Sequence, residues 1–231
     1  MINITNKWAF VTGASRGIGK QVAFGLADKG CNLVLHSRDI KHFDHTVKDL
    51  TEKGIKVELI TGEMMNPEKA SLLAEKAEKL SGGIDIVYNN AAVMTPYKTD
   101  YNSPVDDYFL SFKVNVVSPI KICTYFLPRM IKRGFGRIIN VTSGIQDQPE
   151  LTPYSVSKAA LDKYVRDYAV KLNGSDVLMN LLDPGWLRTD LGGPNAPNPV
   201  ESVLPGALIP AFLEKSEGSG RLYRAQDYRK N

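Results

Sequence analysis

Trp8-Ala9-Phe10-Val11, followed at once by Thr12-Gly13-Ala14-Ser15-Arg16-Gly17-Ile18-Gly19, is the stretch from which the fold can be read. A short apolar run, then a glycine-rich turn, then helical spacing at Val22, Phe24 and Leu26 predicts strand, tight turn and helix. Gly13 would let the chain turn sharply off the strand. Gly17 would let backbone approach a ligand with no side chain between, and Gly19 would let the new helix pack close to the sheet. A helix starting here points free N–H groups and its positive dipole end at the turn, which predicts a pyrophosphate cradle. A tight turn without a ligand is the alternative reading of the same residues.

Working outward, the pattern repeats. Apolar runs stand at Leu33–Leu35, Val57–Ile60, Ile84–Tyr88, Arg137–Val141 and Val177–Leu182. Between them lie stretches with helical spacing, such as Leu72, Leu73, Ala77 and Leu80, or Ala160, Leu161, Tyr164, Val165 and Tyr168. This alternation predicts an α/β fold: a Rossmann-type doubly wound parallel β-sheet of six or seven strands, helices on both faces, one domain over residues 1–231. Ligands of such sheets bind beyond the carboxyl ends of the strands, so the residues following each strand are the ones to read for chemistry. Only 183–220 breaks the rhythm. It holds Pro184, Pro194, Pro197, Pro199, Pro205 and Pro210, which forbid one long helix. The expectation is a loop with short helical pieces covering the substrate site.

Composition excludes several classes. Of 231 residues 43% are hydrophobic and 23% charged, enough for a sizeable core and too apolar for a disordered chain. No apolar run approaches the roughly 18 residues of a membrane-spanning helix. Met1–Lys7 lacks the basic flank and apolar stretch of a signal peptide, so the expected location is cytoplasmic, with no membrane partner. Cys31 and Cys123 form no metal-ligand or disulfide pattern and read as buried thiols. His36, His42 and His45 make no metal site and read as surface or rim residues. A net charge of +4 is too mild to imply nucleic acid, and Arg221, Arg224, Arg229 and Lys230 read as a solvated terminus.

The second strand runs into His36-Ser37-Arg38-Asp39. A site for NAD would place a carboxylate at this strand end, on the ribose hydroxyls. Ser37 and Arg38, with Arg16 in the facing loop, suit a 2′-phosphate instead, because guanidinium forks match phosphate oxygens. NADP(H) is therefore the expected cofactor and NAD(H) the alternative, with Asp39 placed to read the ribose if the register slips by one.

Tyr154-Ser155-Val156-Ser157-Lys158 puts a phenol and an ammonium on one face of a helix, one turn apart. A cation beside a phenol favours the phenolate and would lower its pKa toward the working pH. Such a pair can exchange a proton with a carbonyl or alcohol oxygen. Ser143, just past the Arg137–Thr142 strand, would hold the same oxygen.

Together these residues resemble the short-chain dehydrogenase/reductase family over about residues 7–193. The pieces stand in family order: Thr12–Gly19, Asn89-Asn90-Ala91-Ala92, Asn115, Ser143, Tyr154 with Lys158, and Pro184-Gly185 with Thr189. The resemblance implies Tyr154 as proton donor and acceptor, Lys158 on the nicotinamide ribose, Ser143 on the substrate oxygen and Asn115 completing a water-linked proton relay. It implies a cofactor groove of Gly13, Ser15, Arg16, Gly17, Ile18, Gly19, Ser37, Arg38, Glu63, Met64, Asn89, Asn90, Ala91, Ala92, Asn115, Tyr154, Lys158, Pro184, Gly185, Trp186, Leu187 and Thr189. Ala92 replaces the family's usual glycine and Glu63 its usual aspartate. Tyr154 follows Ser143 by eleven positions, which demands a tight loop. The last residues, Gly220–Tyr228, depart from the family's Gly-rich ending, and this puts the implied homo-oligomer, dimer or tetramer, in question.

The function expected is NADP(H)-dependent interconversion of a carbonyl compound and a secondary alcohol. A catalytically silent NADP-binding sensor is the alternative, and a lyase or epimerase with held cofactor a third, for which the chain is short. Trp186, Tyr97, Met94, Ile145, Leu151 and Leu191 are candidate pocket walls, which would favour apolar or aromatic carbonyl substrates. Arg188 is the one candidate charged contact for the substrate.

Overall fold

A computed structural model describes residues 1–43, 46–98 and 102–229. His45 and Lys230, both read above, lie outside the described residues. Seven parallel strands form one sheet in the order β3-β2-β1-β4-β5-β6-β7. They are β1 Trp8–Val11, β2 Asn32–Ser37, β3 Val57–Thr61, β4 Ile86–Asn89, β5 Gly136–Val141, β6 Val177–Asp183 and β7 Leu222–Arg224. The helices are α1 Gly17–Ala27, α2 Thr46–Thr51, α3 Pro67–Ser81, α4 Val105–Phe112, α5 Ser118–Arg133 and α6 Thr152–Ala169.

Strand side chains alternate between two cores, as a period of two requires. Ala9, Val11, Leu33, Leu35, Ile86, Tyr88, Ile139, Val141 and Leu182 join α1 on one face. Phe10, Val34, Val87, Ile138, Met179 and Leu181 join α3, α5 and α6 on the other. Both faces are covered, which is why the strands read as near-continuous apolar runs. The chain leaves the sheet in opposite directions from β1, toward β2 and α1 on one side and β4 on the other. That reversal opens a crevice at the carboxyl ends of β1 and β4.

Helix ends follow local chemistry. Asn66 caps α3, its Oδ1 accepting from the N–H groups of Glu68 (3.0 Å) and Lys69 (3.3 Å), Pro67 opens the helix, and Gly82 closes it in the left-handed region at φ 76°. Its buried face is Ala70, Leu73, Ala74 and Ala77, while Leu72 and Leu80 are exposed. The helical spacing expected there is thus right in kind but rotated, because the stripe follows i, i+3, i+4, i+7 from Ala70.

Three sequence readings are corrected. His36 is buried (1% exposed) and belongs to the support of the glycine-rich turn, not to the surface; His42 is exposed. Arg221, Arg224 and Arg229 are exposed, as read, but the segment that carries them is not a loose tail. Leu222–Arg224 form edge strand β7, and Tyr223 and Ala225 are buried, so this segment completes the sheet. Of the span 183–220, residues Gly206–Ala211 form a 3₁₀ helix whose Ala207, Leu208 and Ala211 enter the α1-side core, and Ala207 O accepts from Tyr88 Oη at 2.9 Å. This part of the span is the crossover from β6 to β7. The prolines forbid an α-helix, and tight 3₁₀ turns cover the sheet face in its place. Both cysteines are buried, and burial pushes each thiol up to about 12.

Candidate active site

The glycine-rich turn is built from the inside. Thr12 Oγ1 accepts from the N–H groups of Asn90 and Ala91 (both 3.0 Å), and Asn90 Nδ2 donates to the carbonyls of Thr12 (2.9 Å) and Gly13 (3.1 Å). Gly13 and Gly17 lie at φ 64° and 56°, where a side chain is strained. A Cβ on Gly19 would stand 2.3 Å from the Gly13 carbonyl, so only glycine lets α1 start this close to β1. His36 locks the turn to β2: its Nδ1 accepts from Gly13 N–H (3.3 Å) and its Nε2 meets Gly62 O at 3.0 Å. This pattern requires a neutral ring with the proton on Nε2. Burial holds the imidazole below its ordinary value of 6.5, with Gly62 O and Glu63 partly opposing.

The N-terminus of α1 carries no side-chain cap, since Arg16 occupies that position. The first N–H groups of the helix therefore face the crevice without an intrahelical partner. A cradle that a Cβ would fill, under an uncapped helix end, fits a dinucleotide pyrophosphate. Ile18 packs partly buried on the core beside it, and Ser15 is half-buried. Arg16 reaches across the mouth to Asp190 (2.6 Å), and Thr189 Cγ2 stands 3.5 Å from where a Gly17 Cβ would be. At the β2 end, Ser37 Oγ donates to Asp39 O (2.5 Å), Arg38 is exposed, and Asp39 Oδ1 accepts from Lys41 N–H (3.0 Å). Glu63 is exposed, whereas Met64 is a core side chain whose carbonyl accepts from Ser118 Oγ. Ala91 and Ala92 are half-buried beyond β4. Asn89 points into the interior, its Nδ2 donating to Asn140 Oδ1 (2.9 Å), so it supports the sheet and does not line the crevice.

Past β5 the second cluster gathers. Tyr154 and Lys158 share the inner face of α6, 7% and 4% exposed, with Lys158 Nζ 5.7 Å from the Tyr154 ring centroid. Lys158 Nζ donates to Val141 O at 2.8 Å. Ser143 Oγ accepts from Ile145 N–H (3.2 Å), which tightens the short loop leading to Tyr154. The expected lowering of the phenol by Lys158 is not what the structure gives. Burial pushes Tyr154 up to about 12, the Ser143 hydroxyl pulls it back, and the Asp183 charge adds to the rise. Burial likewise lowers the Lys158 ammonium to about 8, with Asp162 opposing.

Asn115 sits in a π-helical turn, Lys113–Val117, between α4 and α5. Its Oδ1 accepts from Val93 N–H (2.9 Å), and its Nδ2 donates to Val93 O (2.8 Å) and Ser157 Oγ (3.0 Å). Ser157 Oγ in turn donates to Tyr154 O at 2.6 Å. The π-turn thus ties the β4 loop to the helix bearing Tyr154, a use of irregular helix common at functional sites.

After β6, Gly185 turns at φ 79°, and Gln226 Nε2 donates to Pro184 O (3.0 Å). Leu187 is a core residue, 2% exposed, so its side chain does not line the crevice. Thr189 Oγ1 accepts from Gly192 N–H (3.0 Å). Trp186 is 59% exposed, its Nε1 donating to Gly192 O (2.8 Å), so it stands at the rim and does not wall an enclosed pocket. Arg188 donates to Ala196 O (3.1 Å) and Pro197 O (3.0 Å) and braces its own loop.

The glycine-rich turn, the π-turn asparagine and the Ser–Tyr–Lys group thus converge at the carboxyl edge of one sheet. Residues 7–199 match the short chain dehydrogenase family. The chain belongs to the short-chain dehydrogenase/reductase family. A dehydrogenase/reductase SDR family member 4 of Bos taurus is 35% identical over 188 residues, 80% of this chain and 67% of that one. An oxidoreductase of Thermotoga maritima is 31% identical over 188 residues, 80% of this chain and 73% of that one. A blue fluorescent protein from a metagenomic library, in complex with NADPH, superposes with a TM-score of 0.85 at 25% identity, over 96% of this chain and 97% of that one. A 7α-hydroxysteroid dehydrogenase complexed with NADH and 7-oxo glycochenodeoxycholic acid gives 0.85 at 26% identity, over 98% and 95%. Family membership gives this dehydrogenase/reductase a general oxidoreductase role. Among its described residues no group of three or more His, Cys, Asp or Glu is placed to hold a metal, and no helix is long and apolar enough to cross a membrane.

Sequence reading missed His36 as the brace of the glycine turn, Ser157 as the link to Asn115, and both Asp183 and Gln226 at the Pro184-Gly185 turn. Asp183, directly before Pro184-Gly185, stands where a position-by-position reading could have found it. Gln226 left no signal.

Proposed function

We propose that this chain is an NADP(H)-dependent oxidoreductase that interconverts a carbonyl compound and a secondary alcohol, with Tyr154 as acid/base. The observation that carries the reading is the buried Tyr154, one helical turn from Lys158 with Lys158 Nζ 5.7 Å from its ring, on the same sheet edge as Ser143 and the uncapped start of α1. The nicotinamide supplies or accepts the hydride when bound. The chain's own part is to orient and to move one proton. The α1 N-terminus and the Gly13–Gly19 backbone would hold the pyrophosphate, and Lys158 would hold the ribose. Ser143 would fix the substrate oxygen, and Tyr154 would protonate it in reduction or accept its proton in oxidation. The Asn115 amide is already committed to Val93 and Ser157, so a proton relay through Asn115 would use its main-chain carbonyl.

NADP(H) is favoured over NAD(H) by the exposed Arg38 and by Asp39, whose carboxylate is engaged with Lys41 N–H. Arg16 would leave Asp190 to join the 2′-phosphate. Relatives of this fold use both forms: one is described with NADPH, another with NADH. The 184–199 loop with Trp186 and Leu191 would border a small-molecule carbonyl or alcohol substrate of apolar or aromatic character. The reading includes cytoplasmic residence and a homo-oligomer, the latter checked by light scattering on the purified protein.

Tyr154→Phe should lower turnover by about 100-fold or more, with NADPH affinity within twofold of wild type by nicotinamide fluorescence. Retained turnover would overturn the assignment. NADH binding as tightly as NADPH would overturn the cofactor preference.

A further inference from the structure

Asp183 ends β6, and by alternation with Leu181 its side chain lies on the α6 side of the sheet, 8% exposed. Its Oδ1 accepts from Gly185 N–H at 2.9 Å, bridging Pro184, which has no N–H to give. Its Oδ2 lies 2.6 Å from where a Cβ on Gly144 would be, so the loop leaving Ser143 rests directly on the carboxylate. From the opposite side Gln226 holds the same turn, with its Cγ 2.7 Å from a Gly185 Cβ position and Nε2 on Pro184 O. Asp183 forms no ion pair among the described residues, and Lys158 Nζ is engaged by Val141 O.

We propose that Asp183 is a positioning residue of this site, its carboxylate clamping the Ser143–Gly144 loop against the Pro184-Gly185 turn so that the substrate-oxygen side and the nicotinamide side keep a fixed separation. The inference rests on the proposed role of Tyr154 and deepens it, because the loop and the turn that Asp183 joins would hold the substrate oxygen and the nicotinamide, and its charge also raises the phenol. The charges acting near Tyr154 are Lys158, 5.7 Å from its ring centroid, and Asp183 from the end of β6, while Asp162, one turn beyond Lys158 on α6, is engaged by Thr142 Oγ1. The post-β5 loop offers it the neutral Ser143, and the π-turn offers neutral Asn115. Asp147 of that loop, with Lys113 and Asp106 of the π-turn and α4, is exposed, and Glu150, Asp107 and Tyr108 are half-exposed. A negative charge here opposes phenolate formation, which keeps Tyr154 in its proton-donating form.

Two measurements test this on the full chain. First, Tyr154 is titrated by NMR of ¹³Cζ-tyrosine, its signal assigned with Tyr154→Phe. In Asp183→Asn, which keeps an acceptor for Gly185 N–H, the phenol should titrate about one unit lower. The rise of alcohol oxidation with pH should move acidward by the same amount, with NADPH affinity unchanged. An unmoved titration overturns the electrostatic part. This titration reads Asp183 even if Tyr154→Phe retains turnover, so failure of the proposed function is distinguishable. Second, Gly144→Ala pushes a methyl onto Oδ2 and should lower kcat about tenfold. In an Asp183→Ala background the same change should cost less than threefold, because the clash is gone. Equal costs in both backgrounds overturn the clamp, and no measurement needs Asp183→Asn to be as stable as wild type.

Discussion

At the scale of single residues, His36 shows how a side chain outside the chemistry controls a binding loop. Its neutral ring accepts from Gly13 N–H and donates to Gly62 O, so it joins the glycine-rich turn, β2 and the end of β3. A doubly protonated ring would turn an N–H toward Gly13 N–H. The folded-state pKa lies below the unfolded value, so as pH falls through about 6.5 the unfolded chain takes up a proton that the folded chain resists. Stability is fully present above the unfolded value and lost as pH falls toward the folded one. The unfolding midpoint in urea should therefore drop between pH 7 and 5, and more steeply in wild type than in His36→Gln. Parallel slopes would show that another group carries the acid sensitivity. Lys158 has the same sign in a higher window. Its ammonium is lowered to about 8 from 10.5, so stability rises with pH between those values, and Lys158→Met should flatten that rise.

At the scale of elements, the turn between β1 and α1 is a close approach of backbone to backbone. A Cβ at Gly19 would meet Gly13 O at 2.3 Å and Asn90 Nδ2 at 2.5 Å. Gly19→Ala must therefore move α1 away from β1 and open the cradle. NADPH affinity in that variant should fall about tenfold or more while the far-UV circular dichroism stays unchanged. Undiminished affinity would show that the helix end does not hold the phosphates. The elements themselves were legible wherever local spacing carries the signal. Each of the six apolar runs is a strand, and Tyr154 and Lys158 do share a helix face. Spacing failed where burial depends on what lies across the sheet. The proline-rich span 183–220 reads as a loop with short helical pieces over the site, yet 206–211 is core, because the β6-to-β7 crossover must cover the face that Tyr88 and Leu182 present.

At the scale of the whole molecule, chemistry and anchoring stand at opposite ends of the sheet. The site gathers at the carboxyl ends of β1, β4, β5 and β6. At the amino end of β5, Arg137 is fully buried, with Nε and Nη2 donating to Leu213 O (3.0 and 2.7 Å) and Nη1 to Asp176 O (2.7 Å), while Nη2 also pairs with Asp176 Oδ1 (2.7 Å). It also lies over the Phe135 ring at 4.5 Å. One guanidinium thus ties β5, the start of β6 and the β6-to-β7 crossover together. Arg137→Ala leaves buried carbonyls unpaired and should destabilise the fold by about 3 kcal/mol or more. Chemical denaturation measures the loss, and NADPH affinity at temperatures where the variant stays folded should be nearly unchanged. A stability within 1 kcal/mol of wild type would show that water replaces the guanidinium without cost.

What the sequence by itself determined is what neighbouring residues decide together: the strand–turn–helix at Trp8–Gly19, the order of the strands and helices, the Tyr154–Lys158 face and the family. The strand–turn–helix and the Tyr154–Lys158 face rest on residues a few positions apart, whose geometry the backbone period sets without reference to the rest of the chain, and the order and the family rest on such local motifs standing in sequence. Tertiary structure alone decided which side chains support that machinery. His36 lies 23 residues from the glycine it braces, Gln226 lies 42 from Pro184, and Ser157 lies 42 from Asn115. It also decided the direction of the Tyr154 shift, since desolvation and the Asp183 charge outweigh what a nearby lysine suggests. A one-turn pattern on a helix carries no information about the dielectric around it, or about which loop folds back to close it.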